Sequence, residues 1–170
     1  MGRIFLVGYM GSGKTTIGKL LADELGSSFI DMDTRLEEKY FKTVSQMFAE
    51  FGESQFREME QRCLHEVAEI EDVVISTGGG APCFFDNMEY MNAHGITIYL
   101  KLTAEELAAR LEFSHANKRP LLADRKGEEL IRFVKDGMKV REPFYAKAAY
   151  SLSGSIEYTL SEICRLVSEA

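Results

Sequence analysis

Short apolar runs alternate with amphipathic segments along this chain of 170 residues. Five runs rich in β-branched or aromatic residues predict strands, over residues 4–7, 28–33, 73–76, 97–102 and 150–152. Between them, apolar residues recur at spacings of three and four, which is typical of helices with one buried face. Strands separated by helices predict an α/β fold, in which a parallel sheet is covered by helices on both faces.

Several residues with strong backbone preferences mark where the helical segments begin, break or end. The apolar stripe that precedes Phe56 is interrupted at Gly52, and Thr103 has the character of an N-cap because two glutamates follow it. The helix predicted over residues 128–140 is expected to end before Pro143, since the residue ahead of a proline disfavours helical geometry.

The first predicted strand leads at once into a glycine-rich sequence that opens a helix. From Gly8 to Thr15 the spacing is G-x-x-x-x-G-K-T, the P-loop pattern in the strand–loop–helix context that it requires. Its glycines let backbone N–H groups converge on an anion, and the helix N-terminus adds partial positive charge. The sequence therefore predicts a nucleoside triphosphate site. The residues predicted to form it are Gly11, Ser12, Gly13, Lys14, Thr15 and Thr16.

Two aspartates stand two positions apart at the end of the second predicted strand. Because residues i and i+2 of a strand share a face, Asp31 and Asp33 are expected to point together toward the ligand-binding edge of the sheet. No aspartate lies between Val73 and Gly80, where many P-loop proteins place a carboxylate for Mg²⁺. We therefore expect Asp31 to share the metal with the hydroxyl of Thr15. In the alternative interpretation, Asp33 only caps the next helix.

Two further features have both a functional and an ordinary interpretation. Gly78, Gly79 and Gly80 follow the third predicted strand, where they allow the backbone to approach a ligand closely or simply form a flexible turn. Arg57 and Glu60 lie three positions apart in a helical segment and can therefore touch. On spacing alone, a surface ion pair is the favoured interpretation.

The segment over residues 113–127 is polar and basic in an otherwise acidic chain. Four cationic side chains against one carboxylate give it a local charge of +3: Lys118, Arg119, Arg125 and Lys126 against Asp124. Such a segment suits a mobile lid over a polyphosphate, although an ordinary solvated loop is the alternative. A lid favours a kinase, because transfer of a phosphoryl group to a small alcohol must exclude water.

Composition limits the remaining possibilities. The net charge of −7 argues against a dedicated nucleic-acid binder, and no apolar run reaches the roughly 18 to 20 residues of a membrane span. Cys63, Cys83 and Cys164 show no metal-ligand spacing, so we expect buried thiols in a reducing cytoplasm. The length predicts a single domain over residues 1–170.

Six motifs, taken in order, resemble those of the shikimate kinases, small P-loop kinases similar to the nucleoside monophosphate kinases. They are the P-loop at 8–16, Asp31-x-Asp33, Gly52-Glu53 with Phe56-Arg57-x-x-Glu60, Gly78-Gly79-Gly80, Arg119-Pro120-Leu121 and Arg141-x-Pro143-x-Tyr145. The resemblance, which spans about residues 3–150, implies a three-layer fold with five parallel strands and a monomer with a closing lid. It also implies ATP- and Mg²⁺-dependent phosphorylation of the 3-hydroxyl of shikimate, a step of aromatic amino-acid biosynthesis.

On the acceptor side, the resemblance implies a role for each matching residue. Asp33 would hold the reacting hydroxyl, and a carboxylate there can accept its proton as the new bond forms. Arg57 and Arg141 would grip the carboxylate of shikimate, which suits the planar fork of arginine. Glu60 would orient Arg57, and the glycine turn at 78–80 would contact the substrate through its backbone.

On the donor side, the resemblance places cations around the phosphates. Lys14 and the lid residue Arg119 would stabilise the phosphates, Thr15 with Asp31 would organise Mg²⁺, and Arg110 would lie against the adenine. Family members usually have a glycine and then a serine between residues 39 and 44, where this chain has Phe41 and Thr43. The tail after residue 150 carries little family signal.

Three rival functions are weaker. A kinase for another small hydroxylated acid, such as gluconate, would share the P-loop, but the resemblance in the acceptor motifs argues against it. A GTPase-type switch needs the base-reading motif Asn-Lys-x-Asp, and the nearest match ends in Pro120 where the aspartate should be. A nucleotide-binding module without turnover leaves the aspartate pair and the basic segment without a purpose.

Overall fold

The predicted alternation of strands and helices is present in the structure, a computed structural model that describes residues 2–114 and 125–169. The strands are β1 (Arg3–Val7), β2 (Ser28–Asp31), β3 (Val73–Ser76), β4 (Ile96–Leu100) and β5 (Tyr150–Leu152). The helices are α1 (Lys14–Leu25), α2 (Met32–Tyr40), α3 (Val44–Val67), α4 (Asn87–His94), α5 (Ala104–Phe113), α6 (Gly127–Tyr145) and α7 (Ile156–Glu169), and a short 3₁₀ helix covers Ala81–Cys83.

The five strands form one parallel sheet in the order β2-β3-β1-β4-β5, which confirms the predicted fold class. Alternate residues of the central strand β1 enter opposite faces of the sheet. Phe5 and Val7 belong to one hydrophobic cluster, whereas Ile4 and Leu6 belong to the other. Because β1 is buried on both faces, its carboxyl end fixes the P-loop on a rigid platform.

The second strand is shorter than predicted, and this changes the argument for the aspartate pair. β2 ends at Asp31, whose carboxylate accepts a hydrogen bond from the backbone N–H of Thr34 at 3.1 Å and so caps α2. Asp33 therefore lies in the first turn of a helix, and the prediction that both aspartates share a strand face is wrong. The alternative in which Asp33 is the cap is also wrong, because Asp31 fills that position.

Helix α6 is longer than predicted, because Pro143 lies inside it and the helix continues to Tyr145. The prediction of an interruption at residues 141–145 is therefore wrong. A proline removes one intrahelical hydrogen bond, but the fully buried side chain of Tyr145 packs into the main hydrophobic cluster and holds the last turn in place. Tertiary packing here overrides the local preference.

Two boundary predictions are confirmed by the backbone itself. Gly52 has φ of 78° and ψ of 166°, a non-helical conformation that divides α3 into two parts. Thr103 caps α5 by accepting from the backbone N–H of Glu106 at 3.1 Å, and the Glu106 carboxylate accepts from the N–H of Thr103 in return.

The predicted lid lies mostly outside the described residues. Helix α5 ends at Phe113 and α6 begins at Gly127, while residues 115–124, including Arg119, are not among those described. The lid and the role of Arg119 thus stay predictions. Within residues 2–114 and 125–169, no helix is long and apolar enough to cross a membrane.

The residue that follows α2 is under backbone strain, which gives a stability prediction. Phe41 has φ of 53°, a left-handed conformation that is unfavourable for a residue with a Cβ. The residue is 93% exposed, so burial of its ring does not offset this cost. We expect Phe41→Gly to raise the free energy of unfolding by about 1 kcal/mol, measured by urea denaturation. Phe41→Ala, which removes the ring but keeps Cβ, should be close to neutral. Equal gains in both variants would show that the strain is not the cause.

Candidate active site

The P-loop joins the carboxyl end of β1 to α1 and holds a buried lysine. The ammonium group of Lys14 donates to the carbonyl oxygens of Gly8 at 2.8 Å and Tyr9 at 3.1 Å. Gly13 has φ of 93° and, as the N-cap of α1, offers no side chain to the first N–H groups of the helix. A helix start without a side-chain cap can take an anion in that position.

The hydroxyl and the carboxylate predicted to share a metal are in direct contact. Thr15 Oγ1 donates to Asp31 Oδ2 at 2.7 Å, so the first turn of α1 is tied to the end of β2. Both are hard oxygen donors, the ligand type that Mg²⁺ prefers, and the pair therefore fits this ion. Within the described ranges, no group of three His, Cys, Asp or Glu side chains could hold a metal ion. A metal at this site would consequently depend on the phosphates of the nucleotide for further ligands.

The glycine turn after β3 is packed closely by charged side chains. A Cβ built on Gly78 would stand 2.7 Å from Glu60 Oε2 and 3.0 Å from Asp33 Oδ1. A Cβ built on Gly80 would stand 2.6 Å from both terminal nitrogens of Arg57. A side chain at either position would have to displace these charged groups, so glycine allows them to approach the turn closely, as in the functional interpretation.

Arg57 and Glu60 form a buried ion pair, which corrects the interpretation as a surface pair. Arg57 Nη1 donates to Glu60 Oε1 at 2.9 Å, and the two residues are 7% and 2% exposed. The guanidinium also lies 4.2 Å from the ring centroid of Phe84 and 5.3 Å from that of Phe48. Arg57 thus packs against aromatic rings, while its Nε has no hydrogen-bond partner among the described residues.

The buried carboxylate of Glu60 is electrostatically unusual. Burial raises its pKa to about 7, against the charge and hydrogen bond of Arg57, which lower it, while the nearby charge of Asp33 raises it further. A raised carboxylate pKa of this kind indicates that the charged group is shielded from water, as is common in functional sites. Glu60 therefore pairs with Arg57 in a part of the site that is removed from water.

Arg141 reaches the same turn from α6. A Cβ built on Gly79 would lie 3.5 Å from Arg141 Nη1 and 3.3 Å from the backbone N of Met10 in the P-loop. The guanidinium carbon of Arg141 also stands 5.4 Å from the ring centroid of Tyr9. The glycine turn, the P-loop and an arginine from a distant helix thus meet at one point.

Arg110 occupies the other side of the P-loop. Its Nη1 donates to the carbonyl oxygen of Ser12 at 3.2 Å, and a Cβ built on Gly13 would stand 3.0 Å from the same nitrogen. A small pocket beside this contact is also lined by Ser153 and Gly154, from the segment after β5. The structure thus brings part of the C-terminal tail next to the nucleotide loop, where the sequence offered no assignment.

Comparison with known proteins agrees with this arrangement. A family model described as shikimate kinase matches residues 10–169. The chain belongs to the shikimate kinase family. A shikimate kinase of Parabacteroides distasonis is 58% identical over 163 residues, which cover 96% of this chain and 94% of that protein.

Solved structures of shikimate kinases are similar over nearly the whole chain. The enzyme from Bacteroides thetaiotaomicron has a TM-score of 0.94 with 45% identity, covering 98% of both chains. The enzyme from Acinetobacter baumannii, in complex with shikimate, has a TM-score of 0.88 with 34% identity, covering 99% of this chain and 94% of that one. A gluconokinase from Sinorhizobium meliloti has a TM-score of 0.61 with 15% identity, a likeness in fold alone.

The structure brings together most of the residues that the shikimate kinase motifs singled out. The residues predicted for the acceptor side meet at the glycine turn: Asp33, Arg57, Glu60, Gly78, Gly79, Gly80 and Arg141. Those predicted for the donor side lie in or beside the P-loop: Gly11, Ser12, Gly13, Lys14, Thr15, Thr16, Asp31 and Arg110. Arg119 lies outside the described residues.

Two aromatic residues beside the site were assigned no task from the sequence, although Tyr145 belongs to the Arg141-x-Pro143-x-Tyr145 motif. Phe84 lies beneath the Arg57 guanidinium, a contact between distant segments that left no local signal. Tyr145 donates a hydrogen bond from its hydroxyl to the carbonyl oxygen of Gly79. Its spacing of four from Arg141 was a usable signal, because such residues share a helix face, but the helix was expected to end earlier.

Proposed function

We propose that this member of the shikimate kinase family transfers the γ-phosphoryl group of ATP to the 3-hydroxyl of shikimate. The observation that carries the proposal is the position of the glycine turn. A Cβ built on Gly79 would lie within 3.5 Å of both Met10 in the P-loop and Arg141. A donor bound at the P-loop and an acid bound at the turn would therefore be neighbours, and phosphoryl transfer depends chiefly on such positioning.

The donor would be held by the loop backbone and its cations. Lys14, already enclosed by the P-loop, carries the charge that would stabilise the terminal phosphates, and Arg110 stands where it can flank the base. In the proposal, Arg119 is a second cation that stabilises the phosphates together with Lys14. Thr15 and Asp31 would hold Mg²⁺, which when bound neutralises part of the phosphate charge.

The acceptor would be oriented by its carboxylate. Arg57 and Arg141 approach the glycine turn from α3 and α6, and each presents a planar fork that matches a carboxylate. Glu60 holds Arg57 by a 2.9 Å ion pair. Fixing the carboxylate at one end of the shikimate ring leaves one hydroxyl directed toward the donor.

Asp33 would receive the proton of the reacting hydroxyl. Its Oδ1 lies beside Gly78, on the same turn that Arg57 and Arg141 border. As the shikimate oxygen bonds to the γ-phosphorus, the bond to the bridging oxygen of ADP breaks and the hydroxyl proton passes to the carboxylate. The proton then leaves Asp33 for solvent when the products separate.

The remaining parts of the proposal concern organisation and surroundings. They are a single domain over residues 1–170 with a lid at about 113–127, a monomer, no nucleic-acid or membrane partner, and a cytoplasmic location. The net charge of −7 supports the absence of a nucleic-acid partner, and Cys63, Cys83 and Cys164 are free thiols, as is usual in a reducing compartment.

A coupled assay for ADP tests the function directly. We expect ADP release with ATP, Mg²⁺ and shikimate together, and little with ATP and Mg²⁺ alone. Gluconate and a nucleoside monophosphate serve as matched acceptors, since both are anions with free hydroxyls. Faster turnover of either than of shikimate would show that the substrate is wrongly assigned.

A further inference from the structure

A tyrosine at the end of α6 lies directly beneath the glycine turn. The side chain of Tyr145 is fully buried, and its hydroxyl donates to the carbonyl oxygen of Gly79. Its ring centroid is 5.3 Å from that of Tyr99 in β4, so the ring is fixed by packing. Burial raises the pKa of Tyr145 well above its ordinary value, and the hydroxyl therefore remains a hydrogen-bond donor across the physiological pH range.

The arginine one helical turn earlier approaches the same residue of the turn. Arg141 and Tyr145 are four positions apart in α6 and so share a helix face. A Cβ built on Gly79, whose carbonyl oxygen accepts from the Tyr145 hydroxyl, would lie 3.5 Å from Arg141 Nη1. The nearby charge of Arg141 also lowers the pKa of Tyr145 against the effect of burial. The buried hydroxyl thus holds the backbone of the turn at the point that the guanidinium approaches.

We propose that Tyr145 is a positioning residue for shikimate. It acts through Gly79 and Arg141, which it keeps at the spacing that the acceptor acid requires. The proposal rests on the proposed assignment of those two groups to the shikimate site. Without the hydroxyl, the Gly79 peptide could rotate away from its place beside Arg141, and this added freedom would have to be lost when shikimate binds.

The Tyr145→Phe variant tests this, because it keeps the ring and removes only the hydroxyl. We expect the KM for shikimate to rise about tenfold, the equivalent of 1.4 kcal/mol, which is typical of one lost hydrogen bond. The kcat should change less than about twofold and the KM for ATP should stay constant, because the contact affects binding of the acceptor before and during transfer alike.

Tyr99→Phe is the matched control. Tyr99 is also buried, but its hydroxyl donates to Glu142 Oε2 at 3.1 Å instead of to the glycine turn. We expect both variants to lower the melting temperature to a similar extent, but only Tyr145→Phe to raise the KM for shikimate.

Each other outcome counts against the assignment. An unchanged KM for shikimate in Tyr145→Phe, equal KM changes in both variants, or a Tyr145→Phe chain that does not fold would make the hydroxyl a purely structural group. Failure of the proposed function would look different, because the unmodified protein would then release no ADP in response to shikimate.

Discussion

Replacing Asp33 by asparagine should leave ATP binding intact and lower turnover of shikimate by roughly 10² to 10⁴. Asparagine has the same size and can still contact the hydroxyl, but it cannot accept the proton at neutral pH. Asp33 Oδ1 lies beside Gly78 in the acceptor half of the site, so the loss should appear in kcat. The coupled ADP assay measures the rate, and calorimetric titration measures ATP affinity.

Asp23→Asn is the control for this change. Asp23 is exposed near the opposite end of α1 from the P-loop, so the same chemical substitution there should alter neither rate nor binding. An unchanged rate in Asp33→Asn would remove the carboxylate from the reaction. Weaker ATP binding would instead place Asp33 on the donor side.

Asp33 also shows where local sequence patterns lose accuracy. The apolar run before it was correctly assigned to a strand, but the strand ends at Asp31, because that side chain bonds to the N–H of Thr34 and starts α2. Asp33 reaches the site from the first turn of a helix rather than from a strand end. The sequence thus placed Asp33 in the correct region but with the wrong geometry. The predicted strand was two residues too long, and a side chain in a helical turn points in a different direction from one in a strand.

The P-loop and the sheet were predictable because their signals are local. The glycine spacing from Gly8 to Thr15 lies within one loop, and the apolar runs of the strands report burial on both faces. The absence of a carboxylate after β3 led to the prediction that Asp31 shares a metal with Thr15, and the structure places these two side chains in contact. Chemistry that demands a particular group can thus locate a partner far along the chain.

Burial of the acceptor side could not be predicted from spacing. Arg57 and Glu60 were correctly expected to touch, yet only the structure shows that Phe84 and Phe48 remove the pair from water. The continuation of α6 through Pro143 has the same origin, because the packing of Tyr145 outweighs a local helix breaker. Both predictions were wrong because they depend on contacts between segments that are distant in the sequence, which local sequence patterns do not reveal.

The second large effect is expected for Arg141→Ala. Removing this guanidinium should raise the KM for shikimate roughly 100-fold, because a charged fork on the substrate carboxylate is lost in a site shielded from water. The KM for ATP should change less than about threefold, since Arg141 contacts the Gly79 turn and the ring of Tyr9, which is not one of the residues predicted to hold the phosphates. Arg132→Ala, an exposed arginine of the same helix, should behave like the unmodified protein.

A modified substrate separates the carboxylate contact from general disturbance of the site. With the methyl ester of shikimate, the unmodified protein should lose affinity, whereas Arg141→Ala should show a smaller further loss, because only the contact of the carboxylate with Arg57 remains to be lost. Equal losses in both proteins would show that Arg141 does not bind the carboxylate, and an effect confined to ATP would assign it to the nucleotide. The KM of Arg141→Lys for shikimate should lie between those of the unmodified protein and Arg141→Ala. Lysine keeps the charge but lacks the planar fork that can bond both carboxylate oxygens at once.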